Sequence, residues 1–161
     1  MTDGKGLSVS HIVLQDVVRG RDENRYRWKP FVHNPQFVEP WWDRAGSSGN
    51  PHYILATDGA DEVARIELQY PHRVGTIYRG VPDLGPKAMN LQLIEVALNF
   101  RSKGVGTRVV RKLASSYPAY RLLAMSEGAD AFWASLGWSR YDANRPRHSY
   151  RPLFVAPKLW S

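Results

Sequence analysis

The chemistry this chain could carry is concentrated in Arg101-Ser102-Lys103-Gly104-Val105-Gly106. Two glycines there leave nearby backbone N–H groups uncovered, because no Cβ stands in front of them. If a helix begins at this turn, its first N–H groups lack an internal partner and its dipole favours an anion. Arg101, Lys103 and Arg108 add positive charge, so the turn suits a phosphate or pyrophosphate. The alternative is a glycine-punctuated turn with solvated basic side chains, since short glycine motifs recur without function. The second chemical feature is Glu95, a carboxylate among Leu93, Ile94, Val96 and Ala97. Unpaired burial is costly and raises a carboxyl pKa. Glu95 therefore calls for a cation such as Arg65, a solvated bulge, or a role in chemistry.

The elements that must position these residues are a strand and a helix. Leu91 to Phe100 is nearly unbroken apolar sequence, which reads as a strand covered on both faces. From Gly104 the spacing becomes helical, with Val105, Val109, Val110 and Leu113 on one side and Arg108, Arg111 and Lys112 on the other. Around this unit, Val9 to Leu14 reads as a first strand, and Gln15 to Lys29 has room for a short helix. Phe37 to Trp42 could begin a second. His52 to Ala56 and Glu62 to Gln69 form a hairpin about Asp58-Gly59-Ala60-Asp61. Residues 71–89 resist assignment. Tyr120 to Met125 is a further strand, Gly128 to Gly137 a short helix and Trp138 to Tyr141 the next strand. A last strand near Tyr150–Val155 is expected at an edge or bulge because of Pro152. The mixture predicts an α/β fold with a sheet of mixed direction.

The chain's 161 residues fit a single domain, 1–161, with a proper core. The net charge of +7, from 22 basic and 15 acidic residues, favours anionic partners. No block of like charges marks a nucleic-acid arm, so nucleic acid is disfavoured as a partner. With no cysteine there is no thiolate nucleophile and no Cys-ligated metal. The start has no signal-peptide pattern and no apolar run reaches a membrane span of about 18 residues. A cytoplasmic protein with no metal and no membrane partner is the expectation.

Taken with Ser126-Glu127-Gly128-Ala129-Asp130-Ala131-Phe132-Trp133-Ala134-Ser135-Leu136-Gly137-Trp138, the glycine turn resembles the GNAT superfamily of acyl-CoA-dependent N-acyltransferases. Arg101, Gly104 and Gly106 match that family's Arg/Gln-x-x-Gly-x-Gly/Ala signature, and Val96 precedes the Arg at the usual spacing. Downstream, Ala129, Gly137 and Trp138 are in register. Three positions depart: Ser126 stands where Asn is common, Leu98 where Pro is common, and Trp133 where many members have a tyrosine that protonates the leaving thiolate. An indole N–H is not a useful acid. A dinucleotide fingerprint is the nearest competitor, but Val109 occupies its third glycine. A P-loop is excluded because no Gly-Lys-Ser/Thr follows.

The resemblance implies a mixed, mostly antiparallel central sheet with a parallel βαβ core and helices on both faces. It implies acetyl-CoA as co-substrate, with the pantetheine arm along Val96, Ala97 and Leu98. The pyrophosphate would lie on the turn of Arg101, Ser102, Lys103, Gly104, Val105, Gly106 and Thr107. Ser126, Ala129, Phe132 and Trp133 would complete the cofactor contacts. The acetyl group would pass to a primary amine, on a small molecule or peptide, by direct attack in a ternary complex. A lysine-like amine lies about 3.4 units above pH 7, so its deprotonation costs about 4.6 kcal/mol and calls for a base. Glu95 is the candidate base and Tyr141 the candidate acid, with Ser126 a further hydroxyl. Glu127, His52 and His72 are weaker bases on paper. Trp41, Trp42 and Tyr78 could wall the acceptor pocket. A homodimer is left open. The alternative is a catalytically inactive GNAT-fold module that binds acyl-CoA or nucleic acid.

Overall fold

The computed structural model describes residues 11–43, 50–144 and 150–158. Among the described residues, seven strands and three α-helices follow in chain order. They are β1 (Ile12–Val17), α1 (Glu39–Trp42), β2 (Pro51–Asp58), β3 (Asp61–Gln69), β4 (Ala88–Val96), α2 (Val105–Ser116), β5 (Arg121–Met125), α3 (Asp130–Ser135), β6 (Ser139–Tyr141) and β7 (Leu153–Val155). The strands are ordered β1-β2-β3-β4-β5-β7-β6. Strands β4 and β5 pair in parallel, whereas β1–β2, β5–β7 and β6–β7 are antiparallel. The chain divides into two compact units. Among the described residues, one holds those up to Leu68 together with Leu93–Leu113, and the other holds Gln69–Gln92 and those from Ala114 onward.

In the first unit, β1 runs against β2 from Ile12↔Asp58 to Val17↔Tyr53. The β2–β3 turn is tight because Gly59 takes a positive φ of 63° that Cβ-bearing residues resist. An aromatic core of Phe31, Trp42 and Tyr53 packs with Trp28, Leu55 and Leu93. Its rings meet edge to face, Phe31–Trp42 at 5.1 Å and Trp28–Tyr53 at 5.8 Å. Helix α2 buries Val105, Val109, Val110 and Leu113, the face its spacing predicts. The expected first strand lies a few residues later, at Ile12–Val17; Val9 and Ser10 lie outside the described residues. No helix forms among residues 15–29, where turns stabilised by Asn24 and Glu23 replace it. The reason is that this Arg-rich stretch has no apolar face to bury. The central strand stops at Val96 rather than Phe100, and Leu98–Phe100 turns into a 3-10 helix.

In the second unit, β5 pairs in parallel with β4, Ala88↔Arg121 to Asn90↔Leu123, and antiparallel with β7, Leu123↔Val155 to Met125↔Leu153. Strand β7 lies between β5 and β6, not at the edge expected from Pro152. Pro152 escapes the ladder because it precedes the strand, where its carbonyl accepts from the Ser126 N–H at 2.8 Å. Residues 71–87 form a long connection that contains little regular structure. Val74, Tyr78, Val81 and Leu84 pack it onto Ala88, Leu123, Leu153 and Val155, so it covers the strands as a helix would. Tyr78 pairs with Ala143 in an isolated bridge.

Candidate functional site

The glycine turn lies in the first unit. Ser102 and Gly104 both have positive φ, 61° and 77°, and between them they fold residues 101–104 back before α2 begins at Val105. Such alternation turns successive amides toward one side, a concavity suited to anions. The N–H groups of Val105, Gly106 and Thr107, in the first turn of α2, have no carbonyl one turn earlier in the helix. Lys103 donates to the Asn99 carbonyl at 3.0 Å and Arg108 to the Lys103 carbonyl at 3.3 Å, so two cations are held by the turn's own backbone. The Nε of Arg108 is buried without a partner. A buried orphan donor costs about 1–3 kcal/mol, and an anion seated on the turn would satisfy it. The residues thus fit a diphosphate. In the sequence Arg108 shows only as nearby charge, and its place four residues after Gly104, in the first turn of α2, is the signal of its closer part.

Glu95 is 4% exposed. One oxygen accepts from the Trp42 indole at 2.8 Å, and the other from the Val38 N–H at 2.9 Å and from Arg101 at 3.2 Å. The cation beside it is therefore Arg101, whereas Arg65 belongs to Glu39 at 3.0 Å. Arg101 also donates through Nε to the Val96 carbonyl at 3.0 Å. The Ala97 N–H reaches the Val63 carbonyl on β3, and Leu98 is exposed. Trp41 is exposed, while Trp42 is buried in the aromatic core.

In the second unit, Ser126 is buried, its hydroxyl donating to Asp130 and accepting from the Ala129 N–H just before α3. Trp133 is buried, with its ring 4.9 Å from Phe132 and 4.7 Å from Trp138. Tyr141 packs at the margin of the core formed by Ala88, Leu123, Leu153 and Val155. Tyr78 donates its hydroxyl to the Arg151 carbonyl at 2.7 Å, and burial raises its pKa above the usual value of 10.0, opposed by Arg151. His72 lines a cavity of about 690 Å³ formed by residues 71–88. Burial lowers the His72 pKa below its usual 6.5, and its Nε2 has no partner. Glu127 pairs with Arg151 at 3.1 Å. Among the described residues no cluster of His, Cys, Asp or Glu could hold a metal, and no helix is long and apolar enough to cross a membrane.

The mixed seven-stranded sheet with its parallel β4–β5 pair is similar in fold to solved acetyltransferases. A GNAT-family putative acetyltransferase from Desulfovibrio desulfuricans is 14% identical with TM-score 0.54, over 89% of this chain and 96% of that one. AtaTR bound with AcCoA is 12% identical with TM-score 0.55, over 92% of this chain and 94% of that one. An acetyltransferase from Thermus thermophilus is 17% identical with TM-score 0.52, over 66% of this chain; the match spans 64% of that protein, less than two thirds of its length. At such identities the likeness is one of fold. No family model matches the sequence, and no curated protein matches it.

Proposed function

We propose that the chain is a single N-acetyltransferase domain, moving an acetyl group from acetyl-CoA to a primary amine by direct attack in a ternary complex. The observation that carries this reading is the turn of residues 101–107, with its paired left-handed residues and the orphaned Nε of Arg108 beside them. Acetyl-CoA, when bound, supplies the electrophilic thioester. The chain's part at the turn is to hold the diphosphate on the N–H groups of Lys103 to Thr107, with the charge of Arg101 and Arg108 beside it. Val96, Ala97 and Leu98 would line the pantetheine arm, and Ser126, Ala129, Phe132 and Trp133 are proposed as further cofactor contacts. Tyr141 is the proposed proton donor. A thiol of pKa about 8.5 also leaves tolerably without one. Glu95 stands as the base only if it releases one of its three donors when the amine arrives.

The test is calorimetric titration with CoA, followed by thiol release from acetyl-CoA across a panel of small amines and peptides. Binding with turnover on one acceptor class supports the transferase. Absence of CoA binding removes the reading altogether. A second reading, a module that binds acyl-CoA without transfer, is favoured by the full engagement of Glu95 and by Trp133 in place of the tyrosine. Tight CoA binding with no thiol release on any acceptor would favour it.

A further inference from the structure

The connection between the glycine turn and the segment Asn34–Asp43 has more structure than an anion site needs. Hydrogen bonds tie the segment to Glu95, Leu98 and Asn99, the residues that lead into the turn. The Gln36 carbonyl accepts from the Leu98 N–H at 3.0 Å, and the Gln36 side chain accepts from the Asn99 N–H at 2.8 Å. Val38 and Trp42 donate to Glu95, and Glu95 holds Arg101. Behind the segment stands a separate anchor. Arg65, fully buried on β3, pairs with Glu39 at 3.0 Å, donates to the Val32 carbonyl at 2.8 Å and lies over the rings of Phe31 and Phe37 at 4.9 and 4.2 Å. The segment is thus clamped from β3 by Arg65 and from β4 by Glu95. Val38 and Trp41 are exposed on this segment, as is Leu98 just before the turn.

Glu95 is the only link in this set that reaches a charged group of the turn. Its burial makes each of its bonds strong and makes the loss of any donor costly. Arg101 uses Nε and one Nη in holding Val96 and Glu95, and its side chain is 46% exposed, so donors are left on the outer side. An anion on those donors restrains the guanidinium. Restraint of the guanidinium restrains the carboxylate, and with it the Val38 amide and the Trp42 indole. No rearrangement is needed, only a loss of motion shared along the bonds.

We propose that Glu95 is a positioning residue that couples the diphosphate turn to the segment Asn34–Asp43, so that CoA binding orders the surface carrying Val38 and Trp41. This rests on the acyl-CoA reading. Because coupling is reciprocal, loosening the segment must also weaken CoA.

The experiment uses the whole chain, with amide and indole N–H signals followed by NMR during titration with CoA. In the wild type, the Val38 amide should exchange about fivefold more slowly at saturation, a modest coupling for two linked sites. In Glu95→Gln the carboxamide must set its NH2 against one of the three donors, and the Val38 response should disappear. Trp42→Phe takes nothing from the turn and keeps an aromatic ring in the core, and CoA affinity should fall about fivefold by the same reciprocity. It also serves if Glu95→Gln does not fold. The proposal is overturned if the amides of residues 103–107 respond to CoA while Val38 keeps or quickens its exchange. Wild-type CoA affinity in Trp42→Phe overturns it equally. If residues 103–107 show no response either, the acyl-CoA reading falls and takes this one with it.

Discussion

Replacing Gly104 by alanine separates the cost of a strained turn from the loss of an anion site. Gly104 has φ 77°, and a Cβ added there would meet Arg108 Nη1 at 3.7 Å, an ordinary contact. Crowding is therefore not the issue, and the penalty is the left-handed backbone itself, about 1–2 kcal/mol. In a chain of this size that is roughly 3–6 °C in Tm. Gly59→Ala is the control: its φ is 63° and nothing lies within 4 Å of the added Cβ. Both variants should melt lower by similar amounts. Their CoA affinities should differ, because only in Gly104→Ala can the chain relieve strain by rotating the peptide planes that aim the N–H groups at the diphosphate. Loss of one charge-assisted hydrogen bond, about 1.5–3 kcal/mol, predicts a 10- to 100-fold weaker dissociation constant by calorimetry. Gly104→Ala that melts lower but binds CoA as the wild type does would refute the claim that these amides are the anion site.

Three further outcomes follow from the geometry. Arg65→Met should lower stability by about 3–5 kcal/mol in urea denaturation, because it leaves Glu39 without its cation and the Val32 carbonyl without its donor. His72 has a folded pKa below the 6.5 of the unfolded chain, so below that pH the unfolded state binds the extra proton more readily. Stability should decline as pH falls from about 6.5 toward the folded pKa and level off beneath it, and His72→Gln should flatten that part of the profile. Trp133→Tyr removes part of a buried ring stack, so it should lower stability by about 1–2 kcal/mol. An aromatic ring that only packs against the cofactor arm is replaced adequately by tyrosine, so CoA affinity should stay within about threefold in the same variant, and a larger loss would mean that the indole N–H itself holds the cofactor.

Local features were legible in the sequence. Helix α2 could be read from its apolar period, since a repeat near 3.6 has one amphipathic solution. The β2–β3 hairpin was legible because Asp58-Gly59 supplies the positive φ a tight turn demands. The glycine turn was visible for the same reason, although the left-handed Ser102 was not, because serine shows no such preference in sequence. Residues 71–87 had no period to read. They are held by packing on β5 and β7 and by the bridge from Tyr78 to Ala143, far along the chain. The helix expected in residues 15–29 failed because room for a helix is no reason for one without a face to bury.

The sequence by itself determined where the backbone could expose N–H groups to an anion, and which face of the following helix would be buried. These depend on residues within a turn or two of one another. Only the tertiary structure decided what Glu95 does. Its partners Val38 and Trp42 lie 57 and 53 positions away, and the cation it holds is Arg101 rather than Arg65. A buried carboxylate must be satisfied by whatever donors folding brings to it, and no local pattern in a chain records that choice.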